Sequence, residues 1–172
     1  MKTFRINPNK PLDSLRKSKS GFDSRELRES AGKGKIIHEL LSKINSEADI
    51  EAVVSFYTSN GWIEENKKTD YIHFLSSVVE KFPFIFPGKE FILSEREIAG
   101  ADGAVWRPDR IVKGTDNRWK VIDFKTGREK NEHKKQVKLY TNLLSEAGMT
   151  VESSHIIYID TERFSASLTD VL

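Results

Sequence analysis

Apolar residues in the first half of the chain recur at the spacing of helices. The pattern predicts a first helix over residues 24–44, a second over residues 50–59 and a third over about residues 69–81. Gly32 and Gly34 interrupt the first of these, at a cost of roughly 1 kcal/mol each relative to alanine. A structural reason for a glycine is therefore expected in this helix.

The pattern changes to strands in the second half. Residues 90–98 alternate between polar and apolar, and residues 107–113 and 118–125 form two extended runs around a short turn, which predicts a β-hairpin. A further helix over residues 133–147 precedes a buried strand over residues 155–159. This order of elements predicts an α/β fold in which a mixed central sheet is flanked by helices and preceded by an N-terminal helical portion.

Composition describes one folded domain. The chain has 172 residues, of which 37% are hydrophobic and 31% charged, which is the balance of a soluble globular protein. Residues 1–22 are polar and basic and are predicted to form an arm or linker before a domain over residues 23–172. The absence of cysteine excludes a disulfide framework, a thiolate metal site and a cysteine nucleophile. No apolar run could span a bilayer and no signal peptide is apparent, so we expect no membrane partner and a cytoplasmic location.

Positive charge is concentrated between residues 107 and 138. Eleven basic and five acidic residues give this stretch a net charge of +6 and leave −4 for the rest of a chain whose total is +2. A local positive field suits a polyanion such as a nucleic acid. A solvated lysine-rich surface would give the same pattern, so charge alone does not decide between the two interpretations.

Three charged residues of the predicted hairpin occupy related positions. Asp123 and Lys125 lie two residues apart on one strand, so both side chains leave the same face, whereas Ile122 and Phe124 point into the core. Asp109 lies on the preceding strand, where pairing can bring it near Asp123. Two aspartates on adjacent strands form an oxygen-ligand site for a hard cation. The sequence therefore predicts a Mg²⁺ site, for which Mn²⁺ would be a substitute.

This arrangement suits the hydrolysis of phosphodiester bonds. A divalent cation polarises a phosphoryl oxygen and activates water, and a neighbouring lysine can orient that water and offset the charge of the transition state. The nearby basic residues would attract the strand to be cut. The alternative is a simple ion pair between Asp123 and Lys125 on a solvated face, which would contribute little stability.

Several short motifs together resemble a known family. Pro108-Asp109, followed by Asp123-Phe124-Lys125, matches the PD…(D/E)xK signature of the restriction-endonuclease-like nucleases. Residues 121–127 look like the nuclease motif of the RecB family within that superfamily. Residues 34–38 match the G-x-x-x-H helix of the RecB family, and residues 136–140 match its Q-x-x-x-Y helix.

The resemblance extends over about residues 34–159. Residues 107–110 and 136–144 are similar in particular to the nuclease domain that follows UvrD-type helicases in some bacteria. The resemblance implies a restriction-endonuclease-like fold and a metal-dependent DNA exonuclease of repair or recombination, with a UvrD-type helicase in the same or a partner chain. No G-x-x-x-x-G-K-[ST] loop is present, so the chain is not itself the helicase motor.

The family's metal site is carried over residue by residue. His38, Asp109, Asp123 and the main-chain carbonyl of Phe124 would bind the ion, and Lys125 would be the catalytic lysine. Without the motif, a lone histidine such as His38 would be interpreted as an ordinary polar residue of a helix.

Residues outside the metal site receive roles as well. Gln136 and Tyr140, one helical turn apart, would join the catalytic set and contact DNA or the lysine, although Tyr140 is also an inward position and Gln136 could be a surface residue. Gly34 would keep the helix bare where substrate or a strand approaches, and Glu95 could assist from the strand before Asp109. The residues predicted to bind DNA are Gly34, Arg107, Arg110, Arg128, Gln136 and Tyr140.

Two other functions fit the sequence. A catalytically inactive DNA-binding module with the nuclease fold should have lost the aspartates or the lysine, and all three are present. A phosphatase with a carboxylate-bound metal would act on small esters, whereas the basic stretch favours a long polyanion. Exonuclease and endonuclease action, and DNA and RNA, are equally compatible with the motifs.

Overall fold

A computed structural model describes residues 32–88, 91–100 and 103–172. Its first elements are three helices, α1 (Lys33–Lys43), α2 (Ile50–Ser59) and α3 (Lys68–Lys81). The second and third agree with the sequence pattern, and the first ends where it was predicted to end. The predicted arm over residues 1–22 and the predicted start of the first helix lie outside the described residues.

The second half of the chain supplies the sheet. The described strands are β1 (Ile92–Ser94), β2 (Ile98–Ala99), β3 (Val105–Trp106), β4 (Arg110–Lys113), β5 (Trp119–Thr126), β6 (Val151–Asp160) and β7 (Ser165–Asp170), and a fourth helix, α4 (Asn131–Glu146), lies between β5 and β6. The predicted hairpin, helix and buried strand are confirmed as β4–β5, α4 and β6. The pattern did not indicate β3 or β7.

The central sheet is mixed, as predicted. Its strand order is β1-β4-β5-β6-β7, with a separate two-stranded ribbon of β2 and β3. All neighbours in the sheet are antiparallel except β5 and β6, which are parallel because α4 carries the chain back across the sheet. The hairpin register pairs Arg110 with Ile122 and Lys113 with Trp119.

Helices cover both faces of the sheet. Ile122, Phe124 and Ile157 belong to the core formed with α1, α2 and α3, whereas Val121 and Ile156 belong to a second core under α4. The centre of β5 is consequently buried on both sides. The alternative of an ion pair on a solvated face is wrong for Asp123, because α4 packs over that face and leaves Asp123 only 1% exposed.

Candidate metal centre

The β4–β5 ladder ends before β5 does. The last pair joins Arg110 to Ile122, and the same register places Asp109 across from Asp123. Beyond that pair, the main-chain N–H and carbonyl of Phe124 contact side chains instead of a residue of β4. The Phe124 N–H donates to Asp109 Oδ2 at 2.7 Å, and the Phe124 carbonyl oxygen lies 2.8 Å from His38 Nε2. The main chain of β5 thus becomes part of a side-chain cluster.

Three ligand-type atoms converge at this end of the hairpin. His38 Nε2 lies 2.8 Å from the Phe124 carbonyl oxygen and 3.3 Å from Asp109 Oδ2. A hydrogen bond to this carbonyl needs a proton on Nε2, because a carbonyl oxygen can only accept, whereas a metal ion would need the same nitrogen without its proton. Adjacent ligands of an octahedral Mg²⁺ lie about 3 Å apart, since each is about 2.1 Å from the ion. The spacing of these atoms is therefore close to that of a coordinated set.

Glu95 joins the cluster from the other side. Within the described residues, ligand atoms of His38, Glu95 and Asp109 all lie within 4.8 Å of one another. The backbone of Glu95 is in the left-handed region, with φ 54°, and its N–H donates to the main-chain oxygen of Asp109 at 3.0 Å. Arg107 Nε lies 3.0 Å from a carboxylate oxygen of Glu95, at the distance of an ion pair. The sequence placed Glu95 only as an assisting acid, because neither its backbone conformation nor the Arg107 contact leaves a periodic signal.

Asp123 and Lys125 form an ion pair beside this cluster. Lys125 Nζ lies 2.6 Å from Asp123 Oδ2, and the two side chains are 22% and 2% exposed. The two groups are close enough for an ion pair, but their angles do not meet the geometry of a hydrogen bond. The buried Asp123 Oδ2 therefore has no hydrogen-bond partner among the described residues. Such a carboxylate oxygen calls for an explanation, and coordination of a cation would supply one. Asp123 is not part of the three-residue set within 4.8 Å.

The electrostatics of the site favour a cation. Burial, and then the charge of Asp123, raise the pKa of Asp109 to about 7, although His38, the Phe124 N–H and Lys125 act in the opposite direction. Asp109 therefore retains a proton at a pH where a free aspartate has lost it. A divalent ion would replace that proton and remove the repulsion between the two carboxylates.

The donor set fits a divalent cation of the harder kind. Carboxylate and carbonyl oxygens suit Mg²⁺ and Mn²⁺, and an imidazole is compatible with Mn²⁺ and other transition metals. Of the predicted ligands, His38, Asp109 and the Phe124 carbonyl come together directly. Asp123 lies alongside them, and Glu95 is an additional acid that the structure brings into the group.

Gln136 and Tyr140 lie on the α4 side of the sheet. Gln136 Nε2 donates to the Tyr140 hydroxyl at 2.6 Å, and Tyr140 is only 3% exposed. Burial, and then the charge of Asp123, raise the pKa of Tyr140 to about 12. Tyr140 is thus mainly a core residue whose neutral hydroxyl is oriented towards polar groups near Asp123.

The prediction that Arg110 contacts DNA is wrong. Its side chain is 0% exposed, and it donates hydrogen bonds to main-chain carbonyls of the protein interior, so it cannot reach DNA. Arg107 and Arg128 are exposed, as a DNA contact requires. For Gly34 the structure supplies a packing reason, because a Cβ there would lie 3.0 Å from the side chain of Thr126 on β5.

Two carboxylates, an imidazole and a lysine thus meet at the open end of the β4–β5 hairpin. The family profile of the PD-(D/E)XK nuclease superfamily matches residues 12–167, and the chain belongs to this superfamily. The mixed sheet flanked by helices agrees with the restriction-endonuclease-like fold of its members.

Comparisons were also made with solved structures and with curated sequences. A solved structure titled "Crystal structure of SSO0001" is similar over 78% of this chain, with 18% sequence identity and a TM-score of 0.34. The aligned region spans 65% of that protein's length. No curated protein sequence matches the chain. Among the described residues, no helix combines the length and the apolar character that a membrane span needs.

Proposed function

We propose that the protein is a Mg²⁺- or Mn²⁺-dependent deoxyribonuclease, a RecB-like exonuclease that hydrolyses phosphodiester bonds in DNA repair or recombination. The observation that carries the proposal is the convergence of His38 Nε2 on both Asp109 Oδ2 and the Phe124 carbonyl, at 3.3 and 2.8 Å. These atoms come from α1, from the residue before β4 and from β5. Their meeting at one point indicates a shared ligand.

The proposal assigns the binding of the ion to four residues. His38, Asp109, Asp123 and the Phe124 carbonyl would hold the ion, with Glu95 close enough to join them. When bound, a divalent ion neutralises phosphate charge and makes water more acidic. Holding such an ion in a partly buried site strengthens its effect, because the surrounding dielectric is low.

Lys125 would be the catalytic lysine. Asp123 holds its ammonium group at 2.6 Å, and the side chain is 22% exposed, so it can reach a phosphate or a water at the mouth of the site. There it would orient the attacking water and offset the negative charge that develops on the phosphoryl oxygens. Asp123 fixes the direction of this amine, which limits the entropy lost when substrate arrives.

Exposed basic residues would guide the polyanion. Arg107 stands beside Glu95, and Arg128 and Lys130 lie in the exposed loop that directly follows β5 and Lys125. Positive side chains next to the cleavage centre raise the local concentration of DNA and make binding dependent on salt.

The test is cleavage of end-labelled linear DNA, single-stranded and double-stranded, with Mg²⁺, with Mn²⁺ and with EDTA. Lys125→Ala should lose most activity, whereas its matched control Lys120→Ala should keep it. Lys120 is on the same strand, is 23% exposed and is also ion-paired, with Glu152 at 2.7 Å. Cleavage that persists in EDTA would contradict the metal mechanism, and equal activity of the two variants would contradict the role of Lys125.

Substrates distinguish the finer parts of the proposal. An exonuclease should degrade linear DNA and leave closed circular DNA intact, and an RNA strand of the same sequence should be a poor substrate. Salt-dependent DNA binding without cleavage would indicate an inactive binding module. Hydrolysis of a small phosphate ester without cleavage of DNA would indicate a phosphatase.

A link to a UvrD-type helicase is part of the proposal. What supports it is the resemblance of residues 107–110 and 136–144 to nuclease domains that follow such helicases. Adding a UvrD-type helicase and ATP should then increase the degradation of long duplexes, compared with the helicase and ATP without the nuclease. An unchanged rate would remove the helicase from the proposal and leave the nuclease activity intact.

A further inference from the structure

Arg110 is a charged side chain in the protein interior that binds no carboxylate within the described structure. Its Nη2 donates to the carbonyls of Leu41 and Ile44, both at 2.6 Å, and its Nη1 donates to the carbonyl of Ile85 at 3.0 Å. Burial lowers the pKa of Arg110 to about 10, with the charge of Asp109 acting against this effect. The guanidinium group therefore stays charged at neutral pH.

Several contacts offset the cost of burying this cation. Burial of a charge costs several kcal/mol, and hydrogen bonds to a charged donor are stronger than neutral ones. The Leu41 and Ile44 carbonyls lie at the C-terminus of α1, which is the negative end of the helix dipole. The guanidinium carbon also lies 4.7 Å from the Phe86 ring centroid and 5.9 Å from that of Phe124.

Three of the residues in this arrangement, Arg110, Leu41 and Phe124, are close in the chain to members of the candidate metal centre or belong to it. Arg110 directly follows Asp109 at the start of β4. Leu41 lies one helical turn after His38 on α1. The Phe124 ring belongs to the residue whose carbonyl faces His38 Nε2 at 2.8 Å. The guanidinium group thus joins the end of α1 to the two strands that carry the other ligands.

We propose that Arg110 is a positioning residue that holds α1 against β4 and β5, so that His38 shares one divalent ion with Asp109 and the Phe124 carbonyl. The inference rests on the metal site of the proposed function. An apolar side chain of similar size would fill the same space without the cost of a buried charge. What it would not supply is a set of directed bonds between three separate segments, and those bonds fix the position of the helix.

The first experiment compares Arg110→Lys with Leu75→Ala. Lysine keeps the charge, but its single ammonium lacks the rigid fork that reaches carbonyls on different segments. Leu75 is fully buried in the same core on α3 and accepts none of the three hydrogen bonds of the guanidinium group, and its truncation costs about 2–5 kcal/mol. Mn²⁺ affinity is measured by calorimetry on the whole, metal-free protein, at a temperature where circular dichroism shows each variant folded.

The expected result separates positioning from stability. Arg110→Lys should weaken Mn²⁺ binding by about tenfold or more, as is usual when a residue that orients a ligand is changed. Leu75→Ala should bind Mn²⁺ as the wild type does. Equal affinities for all three proteins would overturn the inference. Failure of the folded wild type to bind Mn²⁺ would instead contradict the proposed metal site itself.

A double-mutant cycle tests whether Arg110 acts through His38. In a His38→Ala background, Arg110→Lys should change Mn²⁺ affinity little, because the ligand that it positions is gone. The same weakening in both backgrounds would overturn the inference. If Arg110→Lys does not fold, Phe86→Leu keeps the guanidinium group and removes its nearest ring, and should weaken Mn²⁺ binding by about two- to fivefold. Unchanged affinity would again contradict the proposal.

Discussion

Replacing Asp109 with asparagine should make the metal-free protein more stable at neutral and alkaline pH. The carboxyl group is 15% exposed, and its pKa is raised by burial and by Asp123. Asparagine has the same shape, keeps an oxygen that can accept the Phe124 N–H, and carries no charge. The substitution therefore removes an unfavourable charge and leaves the packing in place.

The size of the effect follows from the pKa. A rise from 3.8 to about 7 corresponds to at most about 4 kcal/mol of unfavourable free energy for the ionised form. Part of this repulsion is shared with Asp123 and would be relieved by adjustment of that neighbour. We expect the free energy of unfolding to rise by about 1–3 kcal/mol at pH 8.

The sign depends on pH in a defined way. A carboxyl group whose pKa is raised in the folded state contributes its full stability below its unfolded pKa, and loses it as the pH rises through the folded value. The wild type should thus lose stability between about pH 4 and pH 8, and the advantage of Asp109→Asn should grow over the same range. The advantage should be constant at higher pH.

The assay is urea unfolding followed by circular dichroism, from pH 4 to pH 9 in EDTA and again at pH 8 with Mn²⁺. An ion present at a hundred times its dissociation constant stabilises the folded state by about 2.7 kcal/mol. Mn²⁺ should therefore stabilise the wild type and have much less effect on Asp109→Asn. The difference in the free energy of unfolding between the two proteins should then be close to zero.

An aspartate on the surface provides the control for this prediction. Asp116 is exposed, and hydrogen bonds from Arg118 lower its pKa, so Asp116→Asn should give no gain in stability at any pH. If Asp109→Asn is less stable than the wild type at pH 8 in EDTA, the ionised Asp109 is not under repulsion. The electrostatic account of the metal centre would then be wrong.

Three further predictions concern stability. Gly127 has φ 90°, so Gly127→Ala should cost about 1–2 kcal/mol in urea unfolding despite the open space around it. Tyr140→Phe should cost about 1 kcal/mol by the same measurement, because the Gln136 amide loses its acceptor. Gly34→Ala should be more favourable by about 0.5–1 kcal/mol in a Thr126→Ala background than in the wild type, since the two contacts at 3.0 Å are removed and only the contact with Cβ at 3.3 Å stays; additive effects in thermal or urea unfolding would contradict this.

Much of the fold could be predicted from hydrophobic spacing. The helices α2, α3 and α4 have a continuous apolar face, and the hairpin has a recognisable turn between two apolar runs. The strands β2 and β3 have two residues each, which is too short for any periodic signal. The strand β7 has the sequence Ser-Ala-Ser-Leu-Thr-Asp, with little preference for extended structure, and it forms because β6 offers a partner.

The site could be predicted where motifs carry it. Asp109, Asp123 and Lys125 follow from their spacing on the hairpin. Arg110 was predicted to bind DNA, whereas its side chain is buried and its acceptors are backbone carbonyls, which leave no trace in the sequence. The burial of Asp123 depends on α4 crossing one face of β5, which single-strand patterns do not contain.

The strand β4 begins only at Arg110, and this determines which mutations can remove a ligand-type atom from the candidate metal centre. No residue of β4 pairs with Phe124, so the main-chain carbonyl oxygen of Phe124 faces His38 instead of a neighbouring strand. Exchanging the side chain of Phe124 alters packing but cannot delete that oxygen. Only an inserted or deleted residue in β5 could remove it, and such a shift would turn Asp123 towards the opposite face as well. As a proposed ligand, the Phe124 carbonyl oxygen is consequently protected against point mutation, whereas the proposed side-chain ligands are not.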